Sequence, residues 1–134
     1  FLPLDVLSGN AFNESIKEKV FEINKIEKGW MGMDIYSKTI SVFEKAIMSS
    51  NTIFWNGPVG VFEKEKFSYG TKQICEILKK AKEEGKYVIV GGGDSIAALK
   101  KFGKESWVNY ISTGGGAMLE GLEGKKLPGI KALN

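Results

Sequence analysis

A strand-like run, a glycine turn and a helical stretch follow one another three times in the second half of this chain. That repeat limits the possible folds more than any other feature. Thr52-Ile-Phe-Trp55 ends in Asn56-Gly-Pro-Val-Gly60, after which Ser68 opens a helical pattern to about Glu84. Tyr87-Val-Ile-Val90 ends in Gly91-Gly-Gly93, and Asp94 opens a helix to about Lys101. Val108-Asn-Tyr-Ile111 ends in Ser112-Thr-Gly-Gly-Gly116, and Ala117 to about Leu122 continues as helix. Strands that alternate with helices build a parallel sheet, because parallel neighbours need a crossover between them.

The expected fold is therefore α/β, a Rossmann-like parallel sheet with crossover helices. A candidate fourth strand lies at Leu2–Leu7. Even so the sheet is thin, and a parallel sheet wants cover on both faces, so we expect an incomplete three-layer α/β/α arrangement belonging to something larger. Ile40, Phe43 and Ile47 form one apolar helical stripe with Ser37 as its expected N-cap. Ile74, Ile77, Leu78 and Ala81 form a second, with Gly85 as its stop. Asn13 to Lys28 reads as an irregular excursion, and Leu127 to Leu133 as a terminal extension.

In open α/β sheets, ligands bind outside the carboxyl ends of the strands. All three glycine turns lie there, so they should converge on one crevice. A glycine-rich turn leading into a helix brings unpaired N–H groups and the positive end of the helix dipole to an anion. What else can meet an anion is restricted: all 19 basic residues are lysines, and the chain contains no histidine. Histidine-based triads and most zinc sites are thereby excluded, as is bidentate guanidinium binding. Lysine, backbone amides, helix dipoles or a metal ion must serve instead.

Two of the residues at these turns carry two readings each. Asp94 is either a helix N-cap or a carboxylate aimed at Mg²⁺, whose charge would reconcile an acid with an anion site. Glu63 is either a solvated charge or an acceptor for two ribose hydroxyls. Ser95 adds a hydroxyl donor and Asn56 an amide. Pro58, Val59, Val61 and Phe62 offer apolar surface to a flat base, unless Val61 and Phe62 belong to the core.

Scattered lysines mark solvated helix faces and not a nucleic-acid patch. No apolar run approaches the roughly 20 residues of a membrane span, and the first residues lack the pattern of a signal peptide. One cysteine, Cys75, permits no internal disulfide, which fits a reducing, cytoplasmic setting. At 134 residues the chain is long enough for one domain.

The segments GWMGMD (Gly29–Asp34), WNGPVGVFE (Trp55–Glu63), GGGDS (Gly91–Ser95) and ISTGGGA-LEGLEGK-LPG (Ile111–Gly129) resemble, in order and spacing, the C-terminal domain of the phosphoglycerate kinase family. The resemblance implies that residues 1–134 are the C-terminal part of a nucleotide-binding domain. It implies an N-terminal domain, absent here, that holds 1,3-bisphosphoglycerate or 3-phosphoglycerate, and a monomeric glycolytic enzyme using Mg²⁺ with ADP or ATP. Gly32, Gly57, Val59 and Phe62 would line the base and sugar pocket, and Glu63 would hold the ribose. Gly91, Gly92, Gly93 and Ser95 would meet phosphates, and Asp94 would serve Mg²⁺. Gly114, Gly115 and Gly116 would face the transferring group. Tyr36-Ser37 departs from the family's Gly-Pro, and Tyr110 stands in place of a histidine. Because the family's catalytic arginine is not in this chain, catalysis by the chain alone is not expected. The alternative is a catalytically silent nucleotide- or partner-binding fragment.

Overall fold

The computed structural model describes residues 1–13 and 15–133. The strand–turn–helix repeat folds as the sequence dictates. Strands β4 (Thr52–Asn56), β5 (Tyr87–Gly91) and β6 (Tyr110–Ser112) form a parallel sheet in the order β4-β5-β6. Helix α2 (Tyr69–Glu83) connects the first pair and α3 (Gly93–Phe102) the second. Period-two alternation sorts the side chains. Ile53, Trp55, Val88 and Val90 are buried with Ile74, Leu78, Ala98 and Leu99 of the two helices, whereas Thr52 and Tyr87 face outward. Each fully buried leucine of this cluster contributes about 2 kcal/mol by leaving water. Gly85, at φ +85°, stops α2 as expected.

Only one face of this sheet carries a full helical layer. On the other, α4 (Gly115–Leu122) covers the carboxyl end, with Gly115 against Gly91 and Phe54 close by. The third layer is thus partial. Strand β6 begins at Tyr110 and not at Val108, because the Asn109 side chain takes the Val88 amide at 2.8 Å before regular pairing starts.

The first half differs from expectation. Leu2–Leu7 does not supply a fourth parallel strand. The strand is β1 (Asp5–Gly9), the centre of a separate antiparallel sheet, between β2 (Glu18–Glu22) and β3 (Met31–Ile35). The stretch from Asn13 to Lys28 therefore holds a strand. Its period was hidden because β2 is a charged edge on which Phe21 alone is buried; charges on an edge deter pairing with other chains. Leu7, Ile16, Met33 and Phe67 pack beneath this sheet as a small second core.

Helix α1 (Ser37–Met48) has Tyr36, not Ser37, at its N-cap. The cap comes from across the fold. Asp5 on β1 accepts the Lys38 amide at 3.0 Å and the Thr39 amide at 2.9 Å, and Thr39 Oγ1 donates to its carboxylate at 2.6 Å. The tail forms α5 (Pro128–Leu133), with proline in the first helical position, where its missing N–H costs nothing.

Candidate phosphate turns and an apolar cleft

The three turns meet at the carboxyl ends of the parallel strands. Gly57, just past β4, donates its N–H to Ser95 Oγ at 2.6 Å, and Ser95 is fully buried in the first turn of α3. Gly92, just past β5, donates its N–H to the Ser112 carbonyl at 3.1 Å. The third turn touches the second backbone to backbone. A Cβ on Gly115 would collide with the Gly92 nitrogen and stand 2.7 Å from the Gly91 carbonyl carbon. Only glycine permits that approach. The Asn56 side chain lies over the same point, since a Cβ on Gly92 would sit 2.6 Å from its Oδ1.

Two helix starts are thereby pressed together. The first-turn amides of α3 (Gly93, Asp94, Ser95) and of α4 (Gly115, Gly116, Ala117) have no carbonyl partner within their helices. Gly93, Asp94, Gly114 and Gly116 are exposed. Such a corner attracts negative charge by its dipoles and offers N–H donors for oxygen. No charged side chain is required.

Asp94 is not the cap of α3, because Gly92 holds that place and Asp94 stands two residues later. The backbone at Gly92 (φ +89°) suits glycine, so the cap site is fixed by the turn and the carboxylate is left over. Asp94 is exposed and makes no hydrogen bond or ion pair among the described residues. Glu63 is likewise exposed and unpaired there. Phe62 is buried, its ring edge-on to Phe102 with centroids 6.4 Å apart. Cys75 is inert: burial pushes its thiol up to about 12.

Gly32 does not join the amide corner. It lines a cleft of about 510 Å³ with Val6, Ile26, Asp34, Gly60 and Val61. Gly57 and Val59 line another, smaller and apolar, between α1, β4 and α2. The segment 56–61 thus runs from the phosphate-type turns to the Gly32 cleft. Two clasps hold it. Thr71 Oγ1 on α2 donates to the Val59 carbonyl at 2.6 Å and accepts the Val59 amide at 3.2 Å. The Val61 amide donates to the Met33 carbonyl on β3 at 2.8 Å.

Between these clasps sits Asp34, which the sequence reading passed over. Its Oδ2 accepts the Gly70 amide at 2.8 Å and its Oδ1 the Ile35 amide at 2.9 Å, and the residue is only 4% exposed. Burial raises its pKa to about 6 against the opposing pull of those two bonds. A lone acid inside the apolar run Met31–Ile35 was the available signal. Thr71 left none.

Fold and turns define a class: an open parallel α/β sheet whose crevice lies at its strand ends. Comparison with known proteins narrows it. A model of the family "Phosphoglycerate kinase" matches residues 1–125. The phosphoglycerate kinase of Chloroherpeton thalassium is 46% identical over 99% of this chain, which covers 34% of that protein. Phosphoglycerate kinase 1, chloroplastic, of Arabidopsis thaliana is 47% identical over 99% of the chain, covering 28% of it. The solved phosphoglycerate kinase from Coxiella burnetii superposes with a TM-score of 0.86 at 42% identity, over 97% of this chain and 33% of that one. The chain belongs to the phosphoglycerate kinase family. It spans about a third of the length of the curated relatives it matches. None of its described helices is long and apolar enough to cross a membrane.

Proposed function

We propose that this chain supplies the nucleotide-binding part of a phosphoglycerate kinase. Residues 1–134 are the C-terminal part of the nucleotide-binding domain, and the domain that binds phosphoglycerate lies outside the chain. The reaction is phosphoryl transfer between 1,3-bisphosphoglycerate and Mg-ADP, giving 3-phosphoglycerate and ATP in glycolysis. The observation that carries this reading is the contact of Gly115 with Gly91 and Gly92, which joins two helix starts into one amide corner.

The nucleotide phosphates lie on the amides of Gly93, Asp94 and Ser95. The amides of Gly115 and Gly116 face the transferring group, where donors fixed in advance stabilise charge as it develops. Little covalent chemistry is asked of the protein in such a transfer, so positioning and electrostatics dominate. The base occupies the cleft between Gly32 and Val61, and the exposed Glu63 accepts from the ribose hydroxyls.

No group of three His, Cys, Asp or Glu side chains that would hold a metal exists among the described residues. That suits Mg²⁺ arriving with its nucleotide, since this ion keeps water and takes one or two carboxylates beside substrate phosphates. Asp94 is the carboxylate available. The lone buried thiol suits a reducing compartment, so we assign the enzyme to the cytoplasm, working as a monomer.

Calorimetric titration of the folded chain tests the reading. Mg-ADP should bind saturably, and inorganic pyrophosphate more weakly at the same place. A folded chain that binds neither would refute the nucleotide assignment.

A further inference from the structure

Among the described residues, Asp34 is the acid that bridges the two elements on which the 59–61 segment is hung. Val59 is fastened to Thr71 on α2, and Val61 to Met33 on β3. Asp34 follows Met33, Gly70 precedes Thr71, and the 2.8 Å bond between Asp34 and Gly70 ties the two anchors together. Both glycines beside it are pressed onto the carboxylate. A Cβ on Gly60 would lie 2.7 Å from Asp34 Cγ, and a Cβ on Gly70 would overlap Asp34 Oδ1 and come within 2.9 Å of Val59 Cγ2. The acid, the loop and the helix start therefore form one packed unit on the wall of the Gly32 cleft.

We propose that Asp34 is the positioning residue of that cleft: by locking α2 to β3 it sets the gap between Gly32 and the 59–61 segment, and so the affinity for the base. The inference rests on the nucleotide reading above and names the residue that shapes its base site. Asp34 does not touch the phosphate turns, which have their own ties at Gly57–Ser95 and Gly92–Ser112. It controls the base end and leaves the phosphate end alone.

The ionised carboxylate presents two strong acceptors to the two amides. A carboxamide turns one of its polar atoms into a donor that faces an N–H group, and a neutral acid leaves only a weak hydroxyl acceptor there. The titratable side chain that feels its charge is Tyr69 of α2, and no cation among the described residues offsets that charge. Protonation and Asp34→Asn should therefore act alike.

The test uses the whole chain, wild type and Asp34→Asn, with calorimetry of Mg-ADP and of pyrophosphate. At pH 7.5 the variant should bind Mg-ADP about tenfold more weakly and pyrophosphate unchanged. Wild-type affinity for Mg-ADP should fall toward that of the variant as the pH is lowered from 7.5 to 5, while the variant stays flat. Protection of the Val59, Val61 and Gly70 amides against hydrogen exchange, expressed relative to intrinsic rates, should drop in step. Equal loss of both ligands, or parallel pH profiles, would overturn the proposal. A wild-type chain that binds no Mg-ADP refutes the nucleotide reading instead, and the protection factors then decide the role of Asp34 by themselves. Should Asp34→Asn not fold, Thr71→Val removes the Val59 clasp on α2 that Asp34 braces and must weaken Mg-ADP selectively; failure to do so sinks the proposal.

Discussion

Ser95 Oγ accepts the Gly57 amide at 2.6 Å, so a side chain from the first turn of α3 holds the turn that ends β4. The bond spans two strands of the sheet, its acceptor buried with Ser95 1% exposed and its donor, Gly57, on the exposed turn. Ser95 therefore spends one lone pair on the protein and keeps its proton to donate to a phosphate oxygen.

Ser95→Ala should leave the Gly57 N–H without that partner. Losing a half-buried hydrogen bond of this kind costs about 0.5–1.5 kcal/mol. Urea denaturation should show a loss in that range with unchanged slope, and Mg-ADP should bind more weakly because the turn is released. Wild-type stability in the variant would mean that the Gly57 amide finds another acceptor.

The pair Gly115 and Gly116 tests the amide corner with two neighbouring substitutions. A methyl on Gly115 collides with the backbone of Gly91 and Gly92, whereas one on Gly116 meets nothing. Gly115→Ala should force the turns apart, destabilise the chain by more than about 2 kcal/mol and abolish pyrophosphate binding. Gly116→Ala should keep binding and gain up to about 1 kcal/mol from helix propensity. Thermal melts with paired titrations separate the two, and equal behaviour would dissolve the idea of a packed corner.

Asp94 yields a sharper electrostatic contrast. Its carboxylate is exposed at the start of α3, where its own charge opposes that of a phosphate. If it serves the metal, Asp94→Asn weakens Mg-ADP but not metal-free ADP, and relief of repulsion even strengthens the latter. Calorimetry with and without chelator reads the difference. Equal change in both ligands would reduce Asp94 to a helix-dipole charge worth about 0.3–1 kcal/mol.

The parallel half was legible because its rules are local. Glycine turns closed each strand, apolar stripes marked each helix, and Gly85 stopped α2 where expected. The antiparallel half was not. In β2, Phe21 is the single buried residue, so no alternation announced a strand, and β1 is buried throughout, so its period is invisible too. Long-range pairs were equally hidden. Asp5 caps α1 from 34 residues away, and Asp34 reaches Gly70 across 36. Nothing in local spacing reports such partners, and for that reason Ser37 read as a cap. At the site, composition pointed to amides, but only packing could show that Gly57 and Val59 line a different cleft from Gly32.

Asp5 makes a prediction of definite sign. Burial pushes its pKa up, but the bonds from Thr39 and Lys38 and the Lys38 charge outweigh it, and the net value lies below the ordinary one. A lowered carboxylate stabilises the fold above its unfolded value of 3.8, and that stability is lost as the pH falls through the folded value. Asp5→Ala should cost about 1–2 kcal/mol at pH 7, as loss of a good cap does. Denaturation at a series of pH values should show the gap between variant and wild type closing below about pH 4. A constant gap would assign the effect to packing alone.

Asp34 should behave in the opposite sense. Its folded value, raised to about 6 by burial, exceeds the unfolded 3.8, so between these limits the folded chain binds more protons than the unfolded one. Stability from this group therefore falls as the pH rises from 4 to 6, by about 3 kcal/mol for a shift of this size. Asp34→Asn removes the titration. The difference between wild type and variant should move by about that amount in favour of the variant between pH 4 and pH 7, in urea melts followed by circular dichroism. Parallel curves would show that the carboxylate is better solvated than its surroundings imply. The expected slope also separates two roles for the residue. An acid present only to hold the fold together would lower stability when replaced at neutral pH, whereas Asp34→Asn should leave the chain as stable or more so while Mg-ADP binds more weakly. Stability is then lost at neutral pH in return for a fixed gap between Gly32 and Val61, as expected of a group kept for the shape of a site.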